Sequence, residues 1–82
     1  MKLDERTMRL IAVGAAISAN CQPCLHTSVT KALEAGIGEQ EITDAIEVGK
    51  MVRRGAATKM DQFITSLTPA AAAAAGDGCG CN

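Results

Sequence analysis

Eighty-two residues allow a single domain, and its core must come from aliphatic side chains because Phe63 is the only aromatic residue. A net charge of −1 with mixed signs lacks the basic excess of a nucleic-acid footprint, and no apolar run reaches the roughly 18 residues of a membrane span. Chains this short bury only about 60% of their unfolded surface, so disulfides, metals or oligomerisation are expected to supply the rest, and a homo-oligomer with a shared core is the expectation here.

The hydrophobic pattern is helical throughout. A first helix is predicted over Asp4 to Ser18, with Leu3, Leu10 and Ile17 on one stripe and Met8 and Ile11 beside it. Asp4 and Glu5 suit its positive N-terminal end. Asn20 is a good N-cap for a second helix. Pro23 then falls in the first turn, where a missing N–H does no harm. Leu25, Val29, Ala32 and Leu33 give the buried face, and Gly36 reads as the residue that ends the helix.

A third helix is predicted from about Gly38, with Glu39 and Glu41 in its first turn and Ile42, Ala45, Ile46, Gly49 and Val52 on its apolar stripe. Gly55 is expected to kink this helix or divide it from the next. Ala56, Met60, Phe63, Ile64 and Leu67 form a further amphipathic stripe, which makes about four helices in an all-α fold. Small residues at Gly14, Ala15, Ala45, Gly49 and Ala56 suggest close helix packing. The domain is read as residues 1–67, and residues 68–82 as an Ala/Gly-rich flexible tail ending in Cys79-Gly80-Cys81-Asn82.

Leu10 to Ala19 could be taken for a lipoprotein signal ending before Cys21. Asp4 and Glu5 stand where such a signal needs positive charge, and Asn20 stands where it needs a small residue. A cytoplasmic protein without a membrane segment is therefore expected. In that compartment paired cysteines serve catalysis or metal binding more often than structure.

Cys21-Gln22-Pro23-Cys24 is the candidate catalytic group. A thiol reacts as thiolate, and a helix N-terminus or a Cys-x-x-Cys pair favours that form. Cys21 and Cys24 fall in the first turn of the second helix, close enough to cycle between dithiol and disulfide. Two other readings stand beside this one. The pair could be structural, or it could join Cys79 and Cys81 in a zinc or iron–sulfur site. The single residue between Cys79 and Cys81 is tight for a zinc knuckle.

Ala19-Asn-Cys-Gln-Pro-Cys-Leu25 followed by Lys31-Ala-Leu-Glu-Ala-Gly36 resembles the carboxymuconolactone decarboxylase / AhpD-like family. Glu41-Ile-Thr-Asp-Ala-Ile-Glu-Val-Gly-Lys50 and Gly55-Ala-Ala-Thr-Lys-Met-Asp-Gln-Phe63 extend the likeness over most of residues 3–67. The resemblance implies an all-α fold assembled into trimers or hexamers. It also implies an antioxidant alkylhydroperoxidase-type oxidoreductase with a redox-active disulfide and no other cofactor. Its partner would be a thiol or disulfide electron-donor protein. The decarboxylase branch generally lacks the cysteine pair.

The chain departs from the redox members' Glu-x11-Cys-x-x-Cys-x3-His pattern at two places. Arg9 stands where they have Glu, and Ser28 where they have His. His26 does not substitute, because it lies about 160° around the helix from Cys24. Ser28, Arg9 and His26 are thus supporting candidates rather than a proton relay. Ser28 can hydrogen-bond a thiolate, and Arg9 would stabilise one if it lay near. Losing both acid–base groups weakens peroxide chemistry more than thiol–disulfide exchange, which needs mainly an accessible thiolate.

Cys79 and Cys81 are possible relay thiols, since the stretch after Leu67 could reach roughly 40 Å when extended. Lys50, Arg53, Arg54 and Lys59 form the one basic cluster, read as a helix cap or a solvated face, with anion binding as a further reading that no sequence feature supports. The expected function is that of a thiol–disulfide oxidoreductase, with hydroperoxide reduction as a variant. The alternative is a non-catalytic metal or iron–sulfur binding oligomer.

Overall fold

The computed structural model describes residues 1–70. They contain three helices, α1 (Glu5–Ser18), α2 (Gln22–Glu34) and α3 (Glu39–Thr65), and no strand. Asp4 caps α1 from outside, its Oδ1 accepting the Thr7 N–H at 2.7 Å.

The turn from α1 to α2 differs from the sequence reading. Asn20 does not cap α2. It ends α1 in the left-handed conformation at φ 55°. The Asn20 N–H donates to the Ile17 carbonyl at 3.0 Å and the Cys21 N–H to the Ala16 carbonyl at 3.1 Å. This is a Schellman closure, and Asn is the residue after Gly that best tolerates its left-handed position. Cys21 therefore takes the N-cap of α2. Gly36 ends α2 as expected, by the same device. Its φ is 82°, and the Ile37 N–H donates to the Ala32 carbonyl at 3.1 Å.

Gly55 does not divide α3, which runs unbroken for 27 residues. One glycine costs a helix only about 1 kcal/mol, and no proline or cap residue joins it there. The described residues thus hold three helices where the sequence pattern predicts about four, although Pro69 and Ala70 at their edge again take helical backbone.

α1 packs against both other helices, which barely touch each other. Val13, Ala32, Ile37 and Ile42 form the core, with Leu10, Leu25, Val29, Ala45 and Ile46 packed around it. α3 lies alongside α1 and parallel to it. Gly14 faces Ala45 and Gly49, and Asn20 meets Arg53 one turn further along. The approach is close. A Cβ on Gly49 would stand 2.5 Å from the Gly14 carbonyl oxygen and 2.8 Å from Ile17 Cβ. An ion pair between Arg6 and Glu41 ties the other end of the same interface.

α3 outruns its partner beyond Arg53. Leu3, Ile11, Leu33 and Val52, placed on buried stripes by periodicity, are about half exposed. In the overhang Met60, Phe63 and Leu67 are 59%, 61% and 58% exposed. Periodicity correctly marks an apolar face there, but no other element of the described chain reaches it.

Candidate redox site

Cys21 and Cys24 are joined by a disulfide, with their Cα atoms 5.2 Å apart. That separation results from local structure. Cys21 has extended backbone at the N-cap, and the first helical turn brings the residue three positions on beneath it. Cys21 Sγ accepts the Cys24 N–H at 3.3 Å, and the Cys21 carbonyl accepts the Leu25 N–H at 3.0 Å. Its own N–H is held by α1, so the sulfur is fixed from both sides.

The electrostatics of this turn favour negative charge on sulfur. The Cys24 N–H donates to Cys21 Sγ, and the positive end of the α2 dipole lies at the pair. The first turn of α2 carries no acidic residue that would oppose a thiolate. Pro23 sits in that turn without breaking a hydrogen bond. Cys24 is exposed and Cys21 half-buried.

A hollow of about 190 Å³ opens beside Cys21. Its apolar wall is Ala16, Ile17 and Leu25, and its polar rim includes Asn20, Gln22 and Arg53. Arg53 comes from α3, and its Nη1 donates to Asn20 Oδ1 at 3.2 Å. A second hollow, of about 310 Å³, lies across the same Asn20–Arg53 contact and is lined by Arg54 and Ala57.

The other candidate side chains are dispersed. Ser28 is half-buried one turn beyond Cys24, and His26 is exposed. Arg9 donates from Nη2 to Glu5 Oε2 at 3.2 Å, along its own helix. Its Nε is buried without an acceptor, and Arg9 does not line the hollow beside Cys21. Cys79 and Cys81 lie outside the described residues, and with them the relay and the four-cysteine metal site. Among the described residues no group of three or more His, Cys, Asp and Glu side chains is placed to hold a metal ion.

Fold and site together define a small all-helical protein that carries a Cys-x-x-Cys pair at a helix N-terminus. A profile of the carboxymuconolactone decarboxylase family matches residues 1–65, and the chain belongs to that family. Neither a search of curated proteins nor one of solved structures returns a significant match.

Sequence reasoning misses the pairing of Asn20 with Arg53. The local pattern places Arg53 in a solvated basic cluster, and the contact spans 33 positions in the chain. No local signal announces it. Only the parallel packing of α3 on α1 brings the guanidinium to the turn that holds Cys21.

Proposed function

We propose that this protein is a thiol–disulfide oxidoreductase whose working group is the Cys21–Cys24 pair. The observation that supports it is an accessible cysteine pair, bonded in the first turn of α2 with Cys21 at the N-cap. In the reduced chain one cysteine thiolate attacks a substrate disulfide, forming a mixed disulfide and releasing one substrate thiolate. The second cysteine attacks the protein sulfur of that bond, closing Cys21–Cys24 and releasing the other thiolate. The substrate gains two electrons and two protons, and the chain loses them. A dithiol electron donor then restores the pair by the reverse exchange.

Cys24 is the more exposed residue of the pair, so an entering thiolate is proposed to attack there and Cys21 to leave, with the helix N-terminus to stabilise its charge. Reduction of a hydroperoxide by the same dithiol is the nearest variant. With Arg9 and Ser28 at the two departed positions, neither place holds the Glu or His of the redox members' pattern.

The same reading includes self-assembly. Val48, Met51 and Val52 stand exposed on α3, and the stripe continues through Met60, Phe63 and Leu67. Contiguous apolar surface of this kind marks an interaction site. A second copy of the chain would supply the apolar partner that the short α1 leaves missing. Trimers or hexamers are the assemblies the family likeness suggests.

The first test is an equilibrium redox titration with mass-spectrometric mapping of every cysteine. Cooperative pairing of Cys21 with Cys24 at a potential between about −120 and −270 mV is expected. A Cys24→Ser chain should lose disulfide-reducing turnover altogether. Undiminished turnover in that variant would sink the assignment.

A further inference from the structure

Resting on the oxidoreductase reading, we infer that Arg53 and Arg54 form an anion subsite beside Cys21–Cys24, and that the pair exchanges with small disulfides bearing a carboxylate. Arg53 is brought to the hollow beside Cys21 by tertiary packing, and Asn20 Oδ1 engages its Nη1 at 3.2 Å. Asn20 is itself locked by the closure of α1. A guanidinium has five N–H donors, so this contact leaves the fork free for a carboxylate, which it binds in bidentate fashion.

Charge accounting points the same way. Among the described residues the ion pairs engage Arg6, Arg9 and Lys50. Arg53 and Arg54 have no carboxylate partner there, and no Asp or Glu lines either hollow at their contact. Arg53 at the hollow beside the uncharged disulfide, with Arg54 at the adjoining one, calls for an anion from outside. The wall of Ala16, Ile17 and Leu25 suits the carbon skeleton that joins the anion to sulfur. Both hollows share Asn20 and Arg53, so that skeleton is short.

The exchange itself is unchanged. The carboxylate stays on Arg53 and Arg54 while the cysteine thiolate displaces the substrate's thiolate. A dithiol donor supplies the electrons for the return.

The test measures exchange rates of the reduced full chain with three disulfides of similar length. Dithiodipropionate is anionic, hydroxyethyl disulfide neutral and cystamine cationic. The preference for dithiodipropionate over cystamine should exceed that of N-acetylcysteine amide by about tenfold, and Arg53→Gln should cut it by about fivefold, the scale of one partly exposed ion pair. Because ratios are read, a change in thiolate reactivity common to all three cancels. An unaltered ratio in Arg53→Gln overturns the subsite. Should that variant fail to fold, Arg54→Gln, at an exposed position, is read the same way.

If the reduced chain exchanges with no disulfide faster than N-acetylcysteine amide does, the oxidoreductase reading fails by itself. The subsite is then decided on the oxidised chain by titration with thiodipropionate, which lacks a disulfide bond. Saturable shifts of the Asn20 and Cys21 amides that vanish in Arg53→Gln uphold it, and the absence of saturation overturns it.

Discussion

Asn20 owes its two tasks to a short polar side chain. It tolerates the left-handed backbone that ends α1, and its Oδ1 receives Arg53. Cys21, the next residue, is at once the last partner of α1 and the cap of α2. Asp4 is the equivalent device at the start of the chain. The Thr7 backbone N–H, then the Thr7 side chain and the charge of Arg6, hold its carboxyl below the ordinary 3.8. A carboxylate depressed in the folded state adds stability above its unfolded pKa, and that stability is lost as pH falls through the folded value. The Tm of the wild-type chain should therefore fall more steeply below about pH 4 than that of Asp4→Asn. Parallel melting curves across that window check it, and identical slopes would remove Asp4 from the account.

At the scale of elements, two glycines on α3 are expected to behave in opposite ways. Gly49 lies where α3 meets α1, and the obstacle to a Cβ is the Gly14 backbone, which cannot swing aside. Gly49→Ala should cost about 1–3 kcal/mol through overpacking. Gly55 has nothing within 4 Å of a Cβ and sits inside a continuous helix. Gly55→Ala should add about 0.5–1 kcal/mol by removing unfolded-state freedom. Urea unfolding of both variants decides the matter. If Gly49→Ala were neutral, the close approach of α1 and α3 would not be a constraint on the fold. A gain at Gly55 would agree with its place inside an unbroken helix.

The whole molecule is poorly covered for its apolar content. Among the described residues five hydrophobic ones are buried, against ten large ones exposed, and α3 projects past the bundle it belongs to. Self-association is the physical resolution we propose. Sedimentation of the wild-type chain should give a mass of several copies. Phe63→Asp, which places a charge on the exposed stripe, should shift that mass toward one copy. Wild-type chain that sediments as a monomer would refute the assembly. The redox reading would survive, because the disulfide and its cap lie within one chain.

The sequence by itself determined what depends on neighbours a few positions apart. Helical periodicity, the glycine that ends α2, the acidic start of α1 and the reach of Cys21 to Cys24 are all of this kind. Where it misled, two local signals competed. Asn favours both an N-cap and a left-handed helix end, and the hydrogen bonds of α1 decided between them. Gly55 is a weak breaker that a long amphipathic helix overrides. Periodicity marks apolar faces but cannot say which are covered, so Leu33, read as buried, and Phe63, read onto an apolar stripe, both stand exposed. Only the tertiary structure could bring Arg53 to the turn beside Cys21. That contact depends on Gly14 and Gly49 letting two backbones meet, and the spacing of residues along the chain does not encode such an approach.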